Sequence, residues 1–149
     1  MLNIKQSVVL TKVGNLYDIS INSVGDIESE DSFDSIIITS LFTDARADKN
    51  QVVDPSRRRG WIGNVVGEFI LGSTIWVYGQ LRNRKIEFQE IASAALFSLQ
   101  HLKDDNRANS INAKMGLDNG KAVLDILIKR PDNKVDHKFF NLWENTGVK

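Results

Sequence analysis

Polar and apolar residues first alternate along this chain with a period of two. Tyr17, Ile19 and Ile21 alternate with Asp18 and Ser20, the pattern of a half-buried strand. Together with the run before it, this predicts two short strands, 6–13 and 16–21, around Gly14-Asn15, and Val24-Gly25-Asp26 then turns the chain. The period next lengthens. Behind the cap residues Asp31-Ser32, the spacing of Phe33, Ile36, Ile37 and Leu41 predicts a helix from about 32 to 43. The β-branched run Ile36-Ile37-Ile38 pulls toward strand. The clearest helix is expected from 87 to about 103. There Phe88, Ile91, Ala92, Ala95, Leu96, Leu99 and Leu102 fall on one stripe and Asp104-Asp105-Asn106 ends the run. Three alternating runs follow, 107–115, 121–130 and 135–140, parted by the turn signals Asp118-Asn119-Gly120 and Pro131-Asp132-Asn133. The expected fold is a small single α+β domain over residues 1–149. It is an antiparallel β-meander with two to three helices packed on one face and a long central Arg/Gly-rich loop.

That loop, residues 44–64, fits neither period. Its length marks it as functional or disordered. Its centre is Arg57-Arg58-Arg59-Gly60-Trp61. Each guanidinium offers a rigid fork of donors for carboxylate or phosphate. Gly60, Gly63, Gly67, Gly72 and Gly79 are half of the ten glycines, which implies close backbone approaches around the indole of Trp61. Trp61 is read as a core indole that fixes the loop, with a partner anchor as the alternative. Beyond the loop, Ser73 is placed to cap a short apolar helix through Trp76 and Tyr78.

Charge sharpens the picture. The net charge is zero, but 18–44 holds seven acids and no Lys or Arg, while 46–85 holds eight bases and three acids. Such blocks either meet complementary surfaces on other proteins or pair within the fold. For the arginines, an internal role against the acidic 26–34 segment and an external one stand level. A nucleic-acid binder is disfavoured, being basic overall. With no cysteine, thiolate metal sites and disulfides are excluded. The start lacks a signal-peptide pattern and the apolar stretch 69–78 is too short to span a bilayer, so a soluble product of the cytosol is expected. His101 and His137 lie far apart in sequence without further ligand spacing, and read as structural or surface residues. There is no phosphate-binding glycine turn, no nucleophile elbow and no calcium loop. The acid pairs Glu28/Glu30 and Glu87/Glu90 are more simply solvated acids than glycosidase carboxylates. No cofactor, metal or small-molecule substrate is expected.

Several segments nonetheless occur in a familiar order: Tyr17-Asp18-Ile19, Gly25-Asp26-Ile27, Ser40-Leu41-Phe42-Thr43-Asp44-Ala45-Arg46-Ala47, Arg58-Arg59-Gly60-Trp61, Gly72-Ser73 and Leu142-Trp143-Glu144. Together they resemble the tail baseplate protein family of Mu-like contractile bacteriophages, over nearly the whole chain. Members often carry a second Trp and an Asp where this chain has Ile62 and Asn64, so contacts resting on that indole or carboxylate do not carry over. The resemblance implies a non-enzymatic wedge subunit, distantly similar to the wedge proteins of other contractile tails. It would sit in the virion tail after assembly in the host cytoplasm, against other wedge, hub, tube or sheath subunits. Some relatives have been labelled lysozyme-like, which makes a peptidoglycan-degrading tail enzyme the alternative. The residues expected to organise the loop or reach a partner are Asp44, Arg46, Arg57, Arg58, Arg59 and Trp61. On this reading Arg58→Glu leaves the domain folded and stops assembly.

Overall fold

A computed structural model describes residues 7–8, 10–13, 16–27, 29–30, 33–66, 70–80 and 85–144. The chain divides into two compact units, Met1–Thr39 and Ser40–Lys149.

The first unit is built from two-stranded antiparallel ribbons. Strand β1 (Ser7–Val8) pairs with a later strand, Ser29–Glu30, while β2 (Leu10–Val13) pairs with β3 (Leu16–Ile19) in the register Leu10↔Ile19 to Val13↔Leu16. The predicted hairpin is therefore present. Its neighbour Ser29–Glu30 is β4. Between them the chain turns on Asn22. Its carboxamide oxygen accepts from the N–H groups of Val24 and Asp26, and Gly25 sits at φ +89°. The half-buried pattern expected for 16–21 is corrected here: Ile19 is 48% exposed and Ile21 65%. A two-stranded ribbon of four residues per strand cannot enclose an apolar face by itself.

Helix α1 (Phe33–Phe42) falls within a residue of its predicted bounds. Phe33, Ile36, Ile37 and Leu41 are all buried on one stripe. Burying each such side chain stabilises by about 1.5–3 kcal/mol, which outweighs a propensity cost below about 0.7 kcal/mol per β-branched residue.

In the second unit, after a short helix α2 (Gly63–Val66), helix α3 (Lys85–Asp104) lies against β5 (Ser110–Asp118). Ile91, Ala95, Leu99 and Leu102 of its stripe are completely buried. The helix stops where Arg107 N–H donates to Leu102 O, Asn106 N–H to Lys103 O, and Asn106 turns left-handed at φ +56°. These paired bonds satisfy carbonyls that the helix end would leave open. β5, β6 (Lys121–Lys129) and β7 (Val135–Glu144) form the predicted antiparallel meander. Asn119 and Gly120, both at positive φ, make the two-residue turn between β5 and β6. Ala122, Leu124, Ile126 and Ile128 alternate on one side of β6 and are fully or almost fully buried. Ile111, Ala113, Met115 and Leu117 stand opposite them on β5, on the same side. Phe140 closes this layer from β7, edge-on to Phe42 with ring centroids 5.4 Å apart. The strand carries a bulge beside Ala122/Val123. Trp143 pairs there through its backbone, and its side chain lies outside the described residues. No helix among the described residues is long and apolar enough to cross a membrane.

Candidate functional site

Segment 43–64 is not a free loop. Its first arm is held by a parallel bridge between Asp44 and Ser73: Ala45 N–H donates to Ser73 O at 3.0 Å and Ser73 N–H to Thr43 O at 2.9 Å. The Ser73 hydroxyl donates to Leu41 O, an orphan carbonyl in the last turn of α1, and accepts from Ile75 N–H. It thereby caps the 3-10 helix Ile75–Gln80, the short apolar helix expected behind Ser73. Gly72 makes the approach possible. It is buried at φ +107°, and a Cβ there would stand 2.4 Å from the Thr43 carbonyl oxygen. Ala45 and Ala47 are buried, and the indole N–H of Trp76 donates to Ala45 O at 2.8 Å.

Side chains shape the tip. The Asp48 carboxylate accepts from Asn50 and Gln51 N–H, and the Asp54 carboxylate accepts from both the hydroxyl and the N–H of Ser56. The Ser56 hydroxyl bond, then its backbone bond, holds the exposed Asp54 carboxyl below its ordinary value. Asp54 caps the 3-10 turn Pro55–Arg57, and Ala47 N–H donates to Arg58 O to join the two arms.

Within this frame the three consecutive arginines separate. Arg58 is half-buried and donates to two loop carbonyls, Nε to Val52 O at 2.8 Å and Nη2 to Val53 O at 2.9 Å. An Arg58→Glu substitution would place a carboxylate against these two carbonyl oxygens with nothing to donate, so the variant bears on the loop's own order as well as on assembly. Arg59 adopts φ +49°, pairs with Asp44 at 3.1 Å and lies over the Trp76 ring, 4.7 Å from its centroid. Its observed acidic partner is thus Asp44, at the loop's own entrance. Arg46 donates to Arg59 O and Pro55 O across the loop, where Gly60 leaves room for its Cβ. Arg57 is exposed and has no side-chain hydrogen bond or ion pair among the described residues.

Trp61 is 48% exposed, and the core-indole reading is corrected. Its ring lies over Gly63, where a Cβ would come within 2.1 Å of it, while the loop-holding indole is Trp76. Nothing in the local pattern around Trp76 distinguishes it from an ordinary core residue. Asn64 was also missed as an organiser. Its carboxamide donates to Leu71 O and accepts from Leu71 N–H, both at 2.8 Å. Only an amide can do both; a carboxylate at this position could only accept. Ile62, the other departure, is 80% exposed.

The histidines lie elsewhere. His101 Nε2 is 2.8 Å from the Ser40 hydroxyl, and burial holds its pKa below the ordinary 6.5. His137 meets Asp125 on the outer side of the meander. Glu28, Arg82, Arg84 and the side chains of Glu30, Lys85 and Glu87 lie outside the described residues, so the candidate acid pairs and the last three bases of the 46–85 block are not placed.

Loop and helices fall inside the region matched by the family described as Phage protein GP46, residues 33–135, more than half of the chain. The chain belongs to that family. Among its relatives, the protein named Baseplate protein gp46 of Escherichia phage Mu is 31% identical over 113 residues, covering 74% of this chain and 78% of that protein. The Mu-like prophage FluMu protein gp46 of Haemophilus influenzae is 29% identical over 117 residues, with the same shares covered. The resemblance seen in 40–47 and 58–61 is to this group.

Proposed function

We propose that this GP46-family chain is a structural, non-enzymatic component of a contractile phage tail baseplate. It acts as one wedge-type domain that holds hub, tube or sheath subunits through protein–protein contacts. Support comes from relatives whose names place them in the baseplate or in a Mu-like prophage. The observation that carries the mechanism is the state of the loop. Arg46, Arg58 and Arg59 are spent on ordering it, whereas Arg57 projects unpaired among the described residues and Trp61 stays half-exposed. A loop already ordered in the free chain loses little entropy on docking. Arg and Trp are also the residue types that dominate interface energetics.

The test is Arg57→Glu, assayed by size-exclusion co-assembly with purified neighbouring baseplate subunits. The variant is expected to melt within about 0.5 kcal/mol of the parent, as a surface change should. Its co-assembly affinity should fall about tenfold or more, the mark of an interface anchor. Unchanged co-assembly would remove Arg57 from the interface.

A further inference from the structure

On the outward side of α3 lies a second feature whose lining includes none of the loop's arginines. An open cavity of about 660 Å³ is lined by Tyr78, Glu90, Ser93, Ala94 and Phe97, with Gln51 at its side. Glu90, Ala94 and Phe97 are spaced i, i+4, i+7, so they form one stripe of the helix. Phe97 is 80% exposed, an uncommon position for a ring on a helix whose opposite stripe is completely buried. The polar groups here differ in how far they are committed. Gln51 is used at both ends, accepting from Asp48 N–H and donating to the Thr74 hydroxyl. The Glu90 carboxylate and the Tyr78 hydroxyl have no partner among the described residues. No Lys, Arg or His among the described residues lines the cavity.

We infer that this cavity receives an arginine side chain of a partner protein. A carboxylate with no cationic partner among the described residues, sharing its cavity with two aromatic rings, suits a planar guanidinium, which forks onto carboxylate and stacks on ring faces. An ammonium satisfies the carboxylate but stacks poorly, and a neutral polar group leaves the charge unanswered. The volume is within the range of small-molecule sites and admits a whole side chain with its stem. The cavity's chemistry is the same whichever assembly the chain joins, so this site stands or falls apart from the Arg57 contact.

Acetyl-arginine methylamide, titrated into the full-length chain and followed by amide NMR shifts, tests it. Acetyl-citrulline methylamide, the neutral isostere, and methyl glucoside serve as comparators. The expected result is saturable shifts confined to the Tyr78 region and 90–97, with a millimolar Kd as exposed ion pairs and cation–π contacts give. Citrulline should bind about fivefold more weakly, and Glu90→Gln and Phe97→Ala should each weaken arginine binding about threefold. Both substitutions fall at exposed positions, and the citrulline comparison needs no variant at all. Shifts absent up to about 50 mM arginine, or citrulline or the glucoside binding as tightly as arginine, would overturn the assignment.

Discussion

Three neighbouring arginines end in three environments because the backbone between them is irregular. Arg58 closes the 3-10 turn at φ −73°, and Arg59 switches to φ +49°, so successive side chains leave in unrelated directions. Periodicity assigns faces only where dihedrals repeat. The sequence therefore marked Arg57–Arg59 as a site but could not divide the labour among them. Glycine shows the same limit. Gly25 and Gly72 both hold positive φ, yet a Cβ at Gly25 meets nothing within 4 Å while one at Gly72 meets backbone at 2.4 Å. Gly25→Ala is expected to cost about 1–2 kcal/mol from its left-handed backbone alone. Gly72→Ala should cost at least about 3 kcal/mol, because the bridge to Thr43 must also break. Urea melts of the two variants check the ranking; an equal cost would mean that the Thr43–Ser73 approach is not tight in solution. His101 supplies a pH dependence. Burial depresses its folded pKa below 6.5, so the unfolded chain binds the proton more readily. This contribution is fully present above 6.5 and is lost as pH falls toward the folded pKa. Urea melts at descending pH should therefore show stability dropping below about 6.5, and the drop should shrink in His101→Gln.

At the scale of elements, long periodic runs were legible and their ends less so. The stripe from Phe88 to Leu102 placed α3, and Asp104-Asp105-Asn106 placed its stop, because those signals are local. Asn106 carries the left-handed position that ends the helix. Asn106→Gly should hold or raise stability by up to about 1 kcal/mol, and Asn106→Val should lower it by about 1–2 kcal/mol. Thermal melts that left the valine variant unchanged would mean that the cap contributes nothing. In α1 the local preference was the wrong guide: Ile36-Ile37-Ile38 favours strand, yet burial of the stripe settles helix. The first expected strand of the meander began at 107, but β5 starts at Ser110 because residues 107–108 still bond back to Leu102 O.

On the scale of the whole molecule, both units leave large apolar side chains exposed. The second unit buries a continuous layer between α3 and the meander, yet Ile62 and Phe97 of that unit stay exposed, as do Ile19, Ile21, Val24 and Ile27 of the first. Apolar positions left open in a chain are natural places for a partner. Such a surface accords with the proposed life in an assembly, where free and docked chains bury different residues. The Arg57→Glu experiment belongs at this scale, since it separates the chain's own stability from its hold on neighbours.

By itself the sequence determined the α+β class, the meander with its turns, the long helix and the family, because each is carried by local spacing or by an ordered set of short motifs. Tertiary structure alone decided which indole holds the loop, which arginine stays outward, and that Asn64 and Ser73 tie distant backbone together. Those outcomes depend on hydrogen-bond partners 7 to 32 residues away in sequence. Which carbonyl reaches which donor is set by packing, and no period along the chain records it.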